Sequence, residues 1–109
     1  MGFVEAVQLI GDRITEIDVA IARLAPSDPN AAALEAKRAQ LDEQQRILVK
    51  QAFDENSQQF QTAAAELDAV NKEIGESIQD IENIATVIDN VTKLLNTVTN
   101  LVTTAVALK

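Results

Sequence analysis

Hydrophobic residues in the first part of the chain recur at alternating spacings of four and three. The members of this stripe are Phe3, Val7, Ile10, Ile14, Ile17, Ile21 and Leu24. Residues spaced in this way share one face of an α-helix, and a strict heptad stripe is typical of helices that pack along a seam. Charged residues such as Asp12 and Glu16 fall outside the stripe. The pattern predicts an amphipathic helix over residues 3–25.

A proline-containing turn over residues 26–30 is predicted to follow this helix. Pro26 disfavours a helical conformation for the residue before it. Asp28 is a suitable cap for a second helix with Pro29 at its first position. A connection this short between two helices predicts an antiparallel hairpin.

The heptad pattern resumes after the turn and continues almost to the end of the chain. A first sevenfold series consists of Leu34, Leu41 and Leu48. After a change of phase, a second series consists of Phe53, Phe60, Leu67, Ile74, Ile81, Ile88, Leu95 and Val102. These series predict one helix over 31–55 and another over 57–108. If the two were continuous, a rise of ~1.5 Å per residue would make a rod of about 115 Å.

Two places in this stretch are candidate helix breaks. The spacing of the seam shortens from seven residues to five just before the polar run 54–57. Gly75 is a poor residue for a helix interior, and Ser77 with Asp80 resembles a capping box. A break at either place predicts a three-helix bundle, whereas no break predicts a hairpin with a long protruding coiled-coil helix. Both alternatives are all-α, form a single helical domain over 1–109 and are expected to be oligomeric.

The segment after Lys93 is unusual because it carries no charge before Lys109 and reads LLNTVTNLVTTAVAL. One helical face of this segment is apolar, and the opposite face carries Thr and Asn in place of Glu and Lys. Val and Thr are mediocre helix formers, so such a helix needs packing to be stable. Three interpretations stay open: a core helix of a bundle, self-association, or insertion into a membrane. The lack of basic and aromatic anchors disfavours the last.

The leading interpretation of function is helix-to-helix association through the later part of the heptad pattern. The residues predicted to carry it, called the late seam below, are Ile74, Ile81, Ile84, Ile88, Val91, Leu95, Val98, Leu101 and Val102. We interpret the chain as a non-enzymatic helical interaction protein whose partner is a second copy or a helix of another protein. Adaptors, small chaperones, immunity proteins and assembly subunits act in this way. The alternative is a membrane-active protein that inserts its uncharged C-terminal segment into lipid.

Composition narrows the chemistry that is available. The chain has no Cys and no His, which excludes disulfides and disfavours zinc and carboxylate-histidine metal sites. A net charge of −8 argues against nucleic acid as a partner and disfavours anionic membranes. Acidic pairs such as Asp12 and Glu16 are interpreted as solvated surface. We therefore expect no catalytic site, no metal site and no cofactor.

The location of the protein is predicted from features that the sequence lacks. The first residues carry no basic region, and Glu5, Gln8 and Asp12 interrupt their apolar positions, so a secretory signal is not expected. No run approaches the ~18 apolar residues of a transmembrane helix. These features predict a cytoplasmic protein, and secretion by a route without a signal peptide stays open.

Overall fold

The computed structural model describes residues 1–108, which form four α-helices. The helices are α1 (Phe3–Ala22), α2 (Pro29–Val49), α3 (Gln58–Ile74) and α4 (Ile84–Ala107). Two 3-10 turns, Ser77–Gln79 and Ile81–Asn83, lie between α3 and α4. The described residues contain no strand, and the predicted all-α class is therefore confirmed.

Both candidate breaks are helix ends, so neither the three-helix bundle nor the long protruding helix is formed. The stretch 57–108, predicted as one helix, is divided at Gly75. Gly75 has φ 53° and ψ −127°, a conformation that residues with a side chain rarely adopt. Ser77 forms no capping box, since its hydroxyl donates to the Ile74 carbonyl at 2.6 Å. The backbone conformation of Gly75 therefore ends the helix that was predicted over 57–108.

The ends of the first two helices also differ from the predicted bounds. α1 ends at Ala22 instead of residue 25. Pro26 accounts for this difference, because it has no N–H to offer to the carbonyl of residue 22. α2 ends at Val49 instead of residue 55, since residues 51–54 leave the helical conformation.

Side-chain caps determine where α2 and α3 begin. Asp28 Oδ1 accepts a hydrogen bond from the Asn30 backbone N–H at 2.9 Å, as the sequence predicts for a cap before Pro29. Ser57 Oγ accepts a bond from the Phe60 backbone N–H at 3.2 Å. Such bonds satisfy N–H groups that have no partner within the first helical turn.

The four helices form two hairpins that pack side by side. α1 and α2 make the first hairpin, α3 and α4 make the second, and α2 packs against α4. Contacts between the hairpins pair Arg13 with Asn71 and Arg23 with Gln79, so α1 and α3 run in the same direction. Residues 50–57 connect the hairpins at one end of the bundle.

The core lies between the two hairpins and receives side chains from every helix. Its largest fully buried residues are Phe60, Ile10, Ile17, Leu34, Leu41, Leu48, Leu67, Ile78, Leu94, Leu101, Val87 and Val91. The longest dimension of the described chain is 43 Å and its radius of gyration is 14.1 Å. A compact chain of this length has a radius of gyration of about 13 Å. The heptad pattern therefore corresponds to packing within one chain and not to a long rod.

Candidate association interface

Most of the late seam lies inside the bundle. Six of its residues are buried there, namely Ile74, Val91, Leu95, Val98, Leu101 and Val102. The other three are half-buried near the start of α4, namely Ile81, Ile84 and Ile88. In this structure the late seam helps to hold the two hairpins of one chain together. A second chain can reach its buried part only after the hairpins separate.

α4 is central to this interface. It packs against α2 and α3, and both 3-10 turns lie against it. Its buried face consists of Val87, Val91, Leu94, Leu95, Val98, Leu101, Val102 and Ala105. This face is wider than the seam of a two-stranded coiled coil, because α4 has neighbours on more than one side. The packing explains how a segment of mediocre helix formers remains helical.

The opposite face of α4 is polar, but the hydroxyl groups of three of its threonines are bonded within the helix. Thr97, Thr103 and Thr104 each donate to the backbone carbonyl four residues earlier, at 2.8, 2.8 and 2.9 Å. Bonds of this kind turn the hydroxyl onto its own helix. The face therefore presents few free hydroxyl donors to its surroundings, despite its polar composition.

A groove of about 790 Å³ runs along the start of α3 and the end of α4. Its described lining is neutral apart from Glu66, whose carboxylate accepts a 3.3 Å hydrogen bond from the Asn100 side chain. Nearer the start of α4, Lys93 Nζ contacts Glu73 Oε1 at 3.1 Å. These two polar contacts join α4 to α3 along its exposed side, so they hold the second hairpin together.

A buried arginine joins α1 to the end of α3. Arg13 is only 8% exposed. Its Nε donates to Asn71 Oδ1 at 2.6 Å, its Nη2 donates to the Asn71 carbonyl at 3.0 Å, and its Nη1 donates to the Gly75 carbonyl at 2.7 Å. The last carbonyls of a helix have no partner within it and carry the negative end of its dipole. The Asn71 carbonyl also accepts the Gly75 backbone N–H at 3.2 Å, so Arg13 adds donors at the end of α3 and fixes α1 against it.

Sequence reasoning missed this residue, although a signal was present. Ala6, Arg13 and Ala20 are spaced by seven, and both alanines are fully buried. They form a second buried row beside the first stripe. Glu16, interpreted as solvated surface, is half-buried and accepts a bond from Arg13 Nη1 at 2.8 Å.

The hairpins also meet at both ends of the bundle. The only aromatic residues of the chain form one cluster, with ring centroids 5.7 Å apart for Phe3 and Phe53 and 4.9 Å apart for Phe53 and Phe60. Beside this cluster the Phe3 backbone N–H donates to Glu55 Oε2 at 2.7 Å. At the opposite end, Arg23 Nη1 donates to the Gln79 carbonyl at 3.4 Å. The boundary between the hairpins therefore combines an apolar centre with polar contacts of Arg13 and Arg23, and α1 is also bonded to the connection between the hairpins through Glu55.

The residues that the fold brings together along this boundary pack against each other or form hydrogen bonds. These contacts stabilise the packing of the helices. Among residues 1–108, no group of three or more His, Cys, Asp or Glu side chains is placed to bind a metal ion. No helix in the described part of the chain has the length and apolar character needed to cross a membrane.

The chain shows no significant match to any protein-family model, any curated protein or any solved structure.

Proposed function

We propose that this chain is a non-enzymatic helical interaction protein that assembles with itself, or with a helix of a partner protein, through the late seam. The observation that supports this proposal is the burial of six late-seam residues at the boundary of two hairpins. Each hairpin covers an apolar surface of the other. Equivalent helices from a second chain offer the same kind of cover. Whether the protein serves as adaptor, small chaperone, immunity protein or assembly subunit depends on that partner.

The energetics favour exchange of whole helices over the exposure of single residues. Burying one Val, Leu or Ile side chain stabilises a fold by about 1.5–3 kcal/mol. For the six buried late-seam residues this sum is comparable to the net stability of a whole domain, about 5–15 kcal/mol. A partner must therefore replace the contacts of α4 as they are lost. Self-assembly meets this condition most directly, because a second copy supplies identical helices.

Absolute mass from light scattering after size exclusion, over a wide range of protein concentration, tests the proposal. We expect a discrete oligomer whose fraction rises with concentration. Val98→Asn places an amide in the buried seam, whereas Val106→Asn makes the same change on the same helix at a residue that is 44% exposed. We expect the first variant to lose the oligomer and the second to retain it.

Circular dichroism of both variants separates loss of assembly from loss of folding. Val98→Ala, which keeps an apolar side chain, is the milder substitute if Val98→Asn does not fold. A monomer at every concentration would contradict self-assembly. Equal assembly of the Val98→Asn and Val106→Asn variants would contradict the role of the late seam.

The second candidate function is membrane activity, and the threonine face of α4 favours it. The segment from Leu94 to Leu108 carries no charge, and Thr97, Thr103 and Thr104 leave few hydroxyl donors unmet. When such a helix leaves the bundle and enters lipid, these hydroxyls keep their bonds, whereas the Asn96 and Asn100 amides need new partners. The lack of basic and aromatic anchors still counts against this function.

Leakage of dye from neutral-lipid vesicles distinguishes the two candidates. Thr103→Glu places a charge on the exposed side of α4 and should leave the bundle folded. If α4 inserts, this variant should lose leakage, because a charge inside the bilayer is costly. An unaltered protein that leaves vesicles intact would contradict membrane activity. A cytoplasmic location also stays a prediction, which cell fractionation would test.

A further inference from the structure

We propose that two copies of this chain exchange their α3–α4 hairpins, with residues 50–57 as the hinge. In this dimer the second hairpin of each copy packs on the first hairpin of the other. The inference rests on the proposed function, since it names a second copy as the partner of the late seam and gives the route by which the seam becomes accessible.

Only one of the three connections in the bundle lacks a backbone feature that forces a turn. The α1–α2 connection contains Pro26 and leads into Pro29, the first residue of α2, and the α3–α4 connection begins at Gly75 with its positive φ. The hinge, residues 50–57, reads KQAFDENS and contains neither residue type. Lys, Gln, Ala and Glu within it are good helix formers. The hinge is therefore the connection that can become helical and join α2 to α3 as one continuous helix.

Local hydrogen bonds help to keep the hinge closed, and a continuous helix can replace them. The packing of Phe53 against Phe3 and Phe60 also holds the hinge closed and is lost when it opens. Asp54 Oδ1 accepts from the Asn56 backbone N–H at 2.9 Å, and Ser57 Oγ caps α3.

At the end of α2 the Ile47 and Leu48 carbonyls accept bonds of the 3-10 type, at 3.2 and 3.1 Å, from the backbone N–H groups three residues later. Opening the hinge converts these into α-helical bonds and gives intrahelical partners to the first N–H groups of α3. Within the described residues, Gln51 Oε1 is buried without a hydrogen-bond donor. The closed hinge therefore carries a buried acceptor that the exchange can release.

The polar contacts between the hairpins favour a second copy over an unrelated helix. Arg13 binds Asn71 and the Gly75 carbonyl across the boundary, and Arg23 binds the Gln79 carbonyl. An exchanged hairpin brings these same groups to the same positions. A helix without them would leave the buried guanidinium of Arg13 short of acceptors, which is strongly unfavourable.

Cross-linking tests the exchange directly, because the chain contains no Cys and an introduced pair is unique. Arg23→Cys with Gln79→Cys places one thiol on each hairpin, at the end of the bundle opposite the hinge. The dimer and monomer peaks are separated by size exclusion, treated with a short bis-maleimide and then denatured. An exchanged dimer gives a covalent dimer, whereas a closed monomer gives a cross-link within one chain. We expect covalent dimers from the dimer peak and none from the monomer peak.

Hinge variants test the mechanism independently. Ala52 is exposed, and no acceptor is found for its N–H, so Ala52→Pro removes no hydrogen bond from the closed hinge. Proline inside the continuous helix is strongly unfavourable, and we expect the dimer association constant to fall by at least about tenfold. Ala52→Ser is the matched control and should change it little. Ser57→Ala removes a cap that stabilises the closed hinge about fivefold in its equilibrium constant. Because two closed hinges open for each dimer formed, we expect the dimer association constant to rise about 25-fold.

The outcomes separate this inference from the function on which it rests. A dimer that yields only cross-links within single chains would overturn the exchange and leave association through another surface in place. A monomer at all concentrations would overturn both the exchange and self-assembly. Equal dimerisation of Ala52→Pro and Ala52→Ser would overturn the hinge.

Discussion

Arg13 Nε donates to Asn71 Oδ1 at 2.6 Å, and this bond joins the first hairpin to the last turn of α3. The same guanidinium reaches the Asn71 and Gly75 carbonyls and the Glu16 carboxylate. A buried charge is tolerated only when its donors are met, so each of these acceptors matters. Arg13 therefore fixes the position of α1 along α3 in a way that apolar contacts alone would not.

We predict that Arg13→Ala lowers the free energy of unfolding by about 2–4 kcal/mol, because several hydrogen bonds from a buried charged group are lost and Asn71 Oδ1 and the Gly75 carbonyl lose their Arg13 donors. Urea unfolding followed by circular dichroism measures the change. Arg13→Lys should recover only part of the loss, since an ammonium group cannot contact several acceptors in the planar arrangement of a guanidinium. Arg23→Ala is the control. This exposed residue makes one 3.4 Å bond and should change stability by less than about 0.5 kcal/mol.

Gly75→Ala tests the backbone turn that divides the second half of the chain. At φ 53° and ψ −127°, a side chain at this position is strained whatever the space around it. We expect a loss of about 1–3 kcal/mol in thermal or urea unfolding. For the control, Gly11→Ala lies inside α1, where the added carbon meets only Gln45 Nε2, at 3.1 Å. Gln45 Nε2 donates to the Val7 carbonyl at 3.0 Å, and a small shift of this group is offset by the better helix propensity of Ala, so the control should stay within about 1 kcal/mol of the wild type. Equal losses at both glycines would contradict the turn geometry.

Neighbouring residues on α4 provide a reciprocal test of which face is buried. Thr97 is half-buried and its hydroxyl is bonded to its own helix, so Thr97→Val should change stability by no more than about 0.5 kcal/mol. Val98 is fully buried, and Val98→Thr places a hydroxyl in the core at a cost of about 1–2 kcal/mol. The two midpoints of urea unfolding are compared directly. Similar midpoints would mean that α4 does not present Val98 to the core.

The cap of α2 is tested by Asp28→Ala, which removes the acceptor of the 2.9 Å bond from the Asn30 backbone N–H. We expect a loss of about 1 kcal/mol in the free energy of unfolding. Ser27→Ala is the adjacent control, because Ser27 is exposed and does not occupy the cap position. An unchanged midpoint for Asp28→Ala would show that Pro29 alone is sufficient to start the helix.

The local features of the chain were predictable because they depend on residues close together in sequence. The stripe from Phe3 to Leu24 predicted α1, and Asp28 with Pro29 predicted the start of α2. The two candidate breaks near residues 54–57 and at Gly75 were also visible. Sequence reasoning treated them as alternatives, whereas the structure contains both. A local signal shows that a helix can end there, but long-range packing decides whether it does.

The role of Arg13 depended on residues far away in the chain. Its acceptors, Asn71 and Gly75, lie 58 and 62 residues later in the chain. The spacing of Ala6, Arg13 and Ala20 by seven residues is visible in the sequence, but their burial is known only from the structure. Nothing in the row identified the end of α3 as its cover.

The sequence by itself determined that the chain is helical and which face of each helix requires cover, because helix periodicity and apolar spacing are properties of a single segment. Only the tertiary structure decided what covers those faces. Heptad spacing is the same for packing within a chain and between chains, so residues such as Val98 and Leu101 could not show which of the two applies. The three-dimensional arrangement places both inside one bundle, where a second hairpin of the same chain covers the first.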